Sequence, residues 1–533
     1  MKESYGYFTS DEMALNALDF KALHQDYFLA DGELQPWHGA MQQVVSPVWI
    51  NNEPLILGSV PSFDVEKSIS ILDAAVKAWD LGRGVWPTLR VMDRIAAVER
   101  FLERFKTRRE AVVRWLMLEI GKNKTESEYE FDRTTEYIID TLNAVKKLDR
   151  ESSNLELHQG IYAQVRRAPL GVVLCMAPYN YPLNESFATL LPALIMGNTV
   201  VFKPARYGIL VLEPLLEDFK ECFPRGVINF VYGDGQIVVK AIMETGKIDV
   251  LAFIGSSKTA ASIKKLHPRP HRLRSVLGLD AKNPAIILDD ADLDNAVNEC
   301  VNGSLAFNGQ RCTALKILFV HENIVGAFLE KFVARVNQLK AGMPWTESVF
   351  ITPLPESNKP AFLRELISDA LSKGSQLLNE QAGRVEGSMV LPAVLFPVKP
   401  NMRIYHEEQF GPIVPVCSYS DTDEVIDYIT HSPYGQQVSI FSQNPNSLAR
   451  LIDPLINQVC RVNINTKCQR GPDIFPFNGR KDSAEGTLSV HDALRVFSIR
   501  TMVATRDNDT NRNLFSTILD QRMSHFLNDQ FLL

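Results

Sequence analysis

At 533 residues the chain exceeds what one hydrophobic core organises, and its length points to two or three domains. Its 45% hydrophobic and 22% charged composition is ordinary for a soluble globular protein, and a formal net charge of −7 offers no basic surface to nucleic acid. No run approaches the roughly 18 apolar residues of a spanning helix, and the opening MKESYGYFTSDEMALNALDF lacks the apolar core of a secretory signal; a cytoplasmic protein without a membrane partner is expected.

In chain order, residues 66–120 read as helices. Met92, Ile95, Val98, Leu102 and Phe105 recur at spacings of three and four, which puts them on one helical face. From Gly171 the pattern changes. GVVLCMAP (171–178), TVVFKP (199–204), INFVYG (228–233) and VLAFIGSS (250–257) each read as a strand ending in a turn, with crossover helices at 183–196, 206–222 and 236–245. Apolar strands alternating with helices imply a parallel sheet covered on both faces, with ligands at the carboxyl ends of its strands. A second α/β stretch begins at PAIILDDADL (284–293) and continues through KILFV (316–320) and HEEQFGPIVPV (406–416). Lys282-Asn283-Pro284 marks the step between the halves, because a residue before proline is pushed towards extended conformations. DDADLDN (289–295) imitates a calcium loop, but position six is Asn295 rather than glycine and position twelve is Val301 rather than glutamate; it reads as an acidic helix start. After Ala504 a polar stretch, TRDNDTNRN, reads as a loose linker to a short amphipathic end.

The seven cysteines, at 175, 222, 300, 312, 417, 460 and 468, form no CxxC pair, so neither a disulfide framework nor a metal site is expected. One of them stands in an unusual setting, FNGQRCTALK (307–316). A lone cysteine is more often a small buried hydrophobe than a nucleophile. Here an Asn-Gly turn exposes the residues after it, and an arginine precedes the thiol directly. Neighbouring side chains on an extended segment face opposite ways, so Arg311 can serve the group that the sulfur attacks rather than the sulfur.

The chain resembles the aldehyde dehydrogenase superfamily over roughly residues 45–500. The resemblance rests on APYNYP (177–182), VVFKPAR (200–206), AFIGSS (252–257), AFNGQRCTA (306–314) and EEQFGP (407–412), five motifs in the family's order. Arg311 before the cysteine, together with CQRGPDIFPF (468–477), is similar to the non-phosphorylating, NADP-dependent glyceraldehyde-3-phosphate dehydrogenases of that superfamily. The resemblance implies that Cys312 attacks the aldehyde, that the Asn180 amide and the Cys312 N–H hold the oxyanion, and that hydride passes to NADP to leave a thioester. It assigns Lys203, Arg206, Gly255, Ser256, Glu408 and Phe410 to the cofactor. Arg206 stands where NAD-preferring relatives carry a ribose-binding Glu, and a guanidinium there can pair with a 2′-phosphate. The usual last glycine of the GSSKTA turn is Ala260 here. For a phosphorylated aldehyde it carries over Arg133 (EFDRT), Tyr181, Arg311 and Arg470.

One motif departs. The family's deacylating glutamate lies in ELGGKNP, and this chain reads GLDAKNP (278–284), which puts Gly278 at the glutamate position. Asp280, two residues on, shares the strand face about 6–7 Å away and is the expected base. The expected architecture is α/β and aldehyde dehydrogenase-like: a Rossmann-type NADP-binding domain (1–155 and 170–282), an α/β catalytic domain (283–480), a small β oligomerisation arm (156–169 and 481–510) and a C-terminal extension (511–533). The expected reaction is NADP-dependent oxidation of glyceraldehyde 3-phosphate to 3-phosphoglycerate by a dimer or tetramer. Two rivals are transfer of the acyl group to coenzyme A and a non-catalytic binding protein that keeps the fold.

Overall fold

The structure, a computed structural model, describes residues 20–50 and 53–528. Most of the opening twenty residues, read above as lacking a secretory signal, lie outside the described residues. Two sheets organise the molecule. The first has the order 228–230, 199–203, 172–176, 250–254, 274–278, 484–485, with five parallel strands and an antiparallel last one. Val172–Cys175 and Thr199–Phe202 are wholly buried, as expected where helices cover both faces. Helices Val65–Trp79 and Asn184–Ile195 both pack on these strands. Every residue of Asn184–Ile195 is buried, which fits the apolar run from Leu190 to Ile195.

The second sheet runs 376–377, 393–396, 413–419, 317–321, 284–287, 437–441, 461–464, parallel except at its first strand. Ile286, Ile317 and Phe319 enter one core cluster while Ala285, Ile287, Leu318 and Val320 enter another. That alternation is the period-two pleat with both faces buried. Asp292 caps helix Leu293–Leu305 by accepting from Asp294 N and Asn295 N, so the acidic run is a helix start.

A third, antiparallel sheet joins Leu155–His158, Ile161–Pro169 and Ser498–Arg506. Gln159 (φ +49°) and Gly160 (φ +76°) make its two-residue turn, both left-handed as the hairpin twist requires. The segment expected for this arm from residue 481 divides: Ala484–Glu485 pairs with the cofactor-side strand Arg274–Gly278, and helix Val490–Val496 packs on Lys124–Glu151 and Asn184–Ile195. The stretch after Ala504 is not a linker. The strand continues to Arg506, Asn508 caps helix Asp509–Asp520, and Phe515, Leu519 and Leu527 close over Leu155, Tyr162 and Val503. Polar residues filled the exposed side of an amphipathic helix and hid its period. Among the predicted helical face, Ile95, Val98, Leu102 and Phe105 are buried and Met92 is exposed.

Candidate active site

A cleft of about 1820 Å³ opens between the two large sheets, at the carboxyl ends of 172–176, 199–203, 250–254 and 274–278. Each residue singled out from the sequence, from Arg133 to Arg470, lines it.

Cys312 is delivered by a turn of unusual backbone. Phe307, Asn308 and Gly309 have φ of +49°, +56° and +69°. This left-handed run is costly for side-chain-bearing residues and is secured from outside. Asn308 Oδ1 accepts from Thr352 N at 2.9 Å, and its Nδ2 donates to Thr352 Oγ1 at 3.1 Å. The Cys312 carbonyl accepts from Asn283 Nδ2 (2.7 Å) and Lys316 Nζ (3.0 Å), and the Cys312 N–H has no partner among the described residues. The half-buried thiol is pushed above its ordinary value, first by burial and then by the Glu185 carboxylate, with Lys316 and Arg470 opposing.

Asn180 is 6% exposed and donates through Nδ2 to Gln310 O at 2.9 Å, two residues before the thiol. An amide nitrogen carries two donors, so one N–H remains. Lys122, missed by the sequence reading, holds this loop from below. Its Nζ donates to the Asn180 carbonyl at 3.0 Å, pairs with Glu130, and lies 3.6 Å from the centroid of the Tyr181 ring. Glu130 in turn accepts from Leu183 N and Asn184 N, two free donors at a helix start.

On the cofactor side, Lys203 Nζ has one partner, the Pro204 carbonyl at 3.2 Å, and burial pushes its pKa down to about 8. Arg206 is exposed near the Tyr207 ring (5.7 Å) and makes no hydrogen bond among the described residues. At the start of helix Ser257–Lys265, Ser256 Oγ accepts from Thr259 N, while Ser256 N and Lys258 N have no partner among the described residues. Gly255 allows a tight turn there, since a Cβ would stand 2.4 Å from the Phe253 ring. A half-buried lysine with one weak partner and free amides at a helix start suit a phosphorylated dinucleotide. Glu408 pairs with Lys316 and accepts from Ala281 N at 3.3 Å, and Phe410 sits edge-on to Tyr179 at 6.1 Å.

Two residues stand differently from expectation. Asp280 does not stand free as a base: its Oδ2 accepts from Ser257 N (2.8 Å) and Ser257 Oγ (2.7 Å). The positive end of that helix draws the carboxylate to the cofactor side. Arg311 is 9% exposed and turns back to donate through Nη2 to Asn302 O and Gly303 O, the last turn of helix Leu293–Leu305, leaving Nε buried and unpartnered. Carbonyls at a helix end attract a guanidinium. Arg133 and Arg470 carry acids of their own. Arg133 holds Asp473 through two bonds of 2.7 and 2.8 Å, and Arg470 contacts Asp473 at 3.1 Å and pairs with Glu185. Sequence spacing offered no sign of Glu185; it sits in the first turn of the helix after Asn180, and its partner is 285 residues away.

The fold and the thiol-centred cleft are of the class built by cysteine-dependent aldehyde oxidoreductases. The model of the aldehyde dehydrogenase family matches residues 38–503, and the chain belongs to that family. It is 34% identical over 440 residues to an NADP-dependent glyceraldehyde-3-phosphate dehydrogenase of Streptococcus equinus, covering 81% of this chain and 90% of that protein. It is 28% identical over 415 residues to a sulfoacetaldehyde dehydrogenase of Neptuniibacter caesariensis, covering 76% and 87% respectively. The crystal structure of an NADP-dependent glyceraldehyde-3-phosphate dehydrogenase from Bacillus halodurans, complexed with NADP, superposes with a TM-score of 0.83 at 31% identity, covering 91% of this chain and all of the other.

Proposed function

We propose that the protein oxidises glyceraldehyde 3-phosphate to 3-phosphoglycerate with NADP, through a thioester on Cys312. The observation that carries this reading is the thiol beside two donors without a second task, its own N–H and the remaining N–H of Asn180. The sulfur adds to the aldehyde carbon, and those donors take the charge that develops on oxygen, a stabilisation worth several kcal/mol, about 3–4 per donor. NADP, when bound, supplies the hydride acceptor. Lys203 and Arg206 are the residues to hold its phosphorylated ribose, Gly255 and Ser256 its pyrophosphate, and Glu408 and Phe410 its nicotinamide end. For the substrate phosphate, Arg133 and Arg470 are matched by Asp473 and Glu185, while Arg311, which lines the same cleft as Tyr181, bonds only backbone carbonyls among the described residues and keeps an unbalanced charge. Its similarity to the NADP-dependent glyceraldehyde-3-phosphate dehydrogenases named above supports the substrate and the cofactor. The edge strand Ser498–Arg506, paired on one side only among the described residues and with Met502 exposed, supports a homo-oligomer (dimer or tetramer), and seven free cysteines suit the reducing cytoplasm.

Gly278 favours one second reading, transfer of the acyl group to coenzyme A, since no carboxylate stands at that position. A single assay separates the readings: glyceraldehyde 3-phosphate, glyceraldehyde and sulfoacetaldehyde, each with NADP or NAD, with and without coenzyme A. Fastest NADPH formation with the phosphorylated aldehyde and free acid as product is expected. A product formed only with coenzyme A selects the second reading. Cofactor binding without oxidation of any aldehyde selects a non-catalytic protein.

A further inference from the structure

The cleft has a vacancy in its chemistry. A thioester needs a base for the attacking water, Gly278 cannot supply one, and Asp280 is held by Ser257. Most other carboxylates lining the cleft are engaged elsewhere or open to solvent. Glu408 is paired with Lys316; Glu356 accepts from the Tyr179 hydroxyl and pairs with Lys359; Glu407 is held through both oxygens by Arg403. Glu126 and Glu136 stand half-exposed and exposed on the long helix Lys124–Glu151. Glu185 remains. It is 6% exposed, lines the cleft, and binds Arg470 through Oε2, while Oε1 has no hydrogen-bond partner among the described residues.

Building on the oxidation reading above, we propose that Glu185 is the general base that activates water to cleave the Cys312 thioester. The helix start places it there. Glu185 N donates to Tyr181 O at 3.1 Å, one residue beyond Asn180, and the Asn180 amide reaches the loop of Cys312 through Gln310 O. Glu185, Asn180 and Cys312 thus line one cleft, with the helix start that carries Glu185 following directly on the Asn180 loop. Of the charged side chains near the sulfur, Glu185 acts on it most strongly, ahead of Lys316, Arg470 and Glu408. Arg470 is shared, since it also contacts Asp473 at 3.1 Å, so Glu185 is not its only acid. Arg470, stacked 4.6 Å from the centroid of Phe477 and donating to Leu488 O, fixes the carboxylate by one oxygen and leaves the other for water. In the step, Glu185 takes a proton from water as the water oxygen bonds to the acyl carbon. The C–S bond then breaks, its electron pair returns to the Cys312 sulfur, and the acid leaves as the proton passes from Glu185 to solvent.

The test is pre-steady-state and steady-state NADPH formation by Glu185→Gln, which keeps an acceptor for Arg470. The first turnover should remain, and steady-state turnover should fall by about 10²–10⁴-fold, the usual loss on removing a general base. Hydroxylamine, a nucleophile that needs no base, should restore turnover and yield the hydroxamate. Glu185→Asp keeps the charge on Arg470 and guards against a variant that fails to fold. It should retain the first turnover and slow the second stage, whereas a merely charge-balancing residue would tolerate it. Gly278→Glu in the Glu185→Gln background should recover hydrolysis, since the nearest atoms to a Cβ at 278 are side-chain carbons of Ile254 and Leu488 at 3.4 Å or more. An unchanged steady state in both Glu185 variants, or a first turnover lost in proportion, overturns the assignment. A wild-type enzyme that gives no first turnover with any aldehyde overturns the oxidation reading itself, and this inference with it.

Discussion

Lys203 shows how a single residue carries a pH dependence that its sequence neighbourhood does not reveal. Burial at a strand end brings its pKa to about 8, so near neutral pH it is mostly an ammonium and above pH 8 mostly a neutral amine. If that ammonium meets a cofactor phosphate, the protonated form binds more tightly. NADP affinity should weaken as pH rises through about 8, approaching tenfold per unit once the amine predominates. Fluorescence titration of NADPH between pH 6.5 and 9.5 measures it, and Lys203→Met should bind weakly with the slope gone. A slope that survives in the variant would assign the titration elsewhere. Lys203, Asn180 and Cys312 were legible because each stands in a short ordered motif. Glu185 and the Lys122–Glu130 pair were not, because what defines them is a partner or a surface brought up by folding.

Among the elements, the turn that presents the thiol is the most demanding. Gly309 has φ +69°, and a Cβ there would stand 2.7 Å from Ser304 O and 2.8 Å from Gly411 O. Both atoms are backbone and cannot swing aside. Gly309→Ala should therefore destabilise by at least about 1–3 kcal/mol and lower the first-turnover rate, because relief of the clash moves Cys312. Thermal unfolding and stopped-flow NADPH formation together check this; a variant with both unchanged would refute the packing argument. The strands announced themselves by apolar runs, and the structure trims each at its turn, GVVLCMAP to Val172–Met176. The helix expected over 206–222 became a 3₁₀ segment, Leu210–Leu215, followed by Leu216–Cys222, with Pro214 at the break. The 28-residue helix Lys124–Glu151 gave little apolar signal, because Ser127, Glu130, Thr134 and Thr141 occupy its buried stripe beside Phe131 and Ile138.

For the whole molecule, the small third sheet carries an exposed apolar face. Val503 faces the C-terminal helix, so Met502 projects from the opposite face of the same strand, 60% exposed, with Ile161 and Leu157 also open. An edge strand bearing exposed apolar side chains is a template for pairing with another chain. Met502→Asp should shift the mass in light scattering towards a smaller species while circular dichroism stays unchanged. The same mass as wild type would exclude this face from the assembly. Among the described residues no helix is long and apolar enough to cross a membrane.

What the sequence determined by itself was local or repeated: the alternation of apolar strands and helices, the order of five motifs, and the thiol set after an Asn-Gly turn. Those signals arise from backbone propensity and side-chain period, which act within a few residues. The tertiary structure alone decided which charges meet. It turned Asp280 onto the start of a helix, drew Arg311 to the end of another, and paired Glu185 with Arg470 in the cleft that holds the thiol. Nothing in the spacing of 185 and 470 foretells their contact, because ion pairs form wherever packing brings opposite charges together out of water, at any separation along the chain.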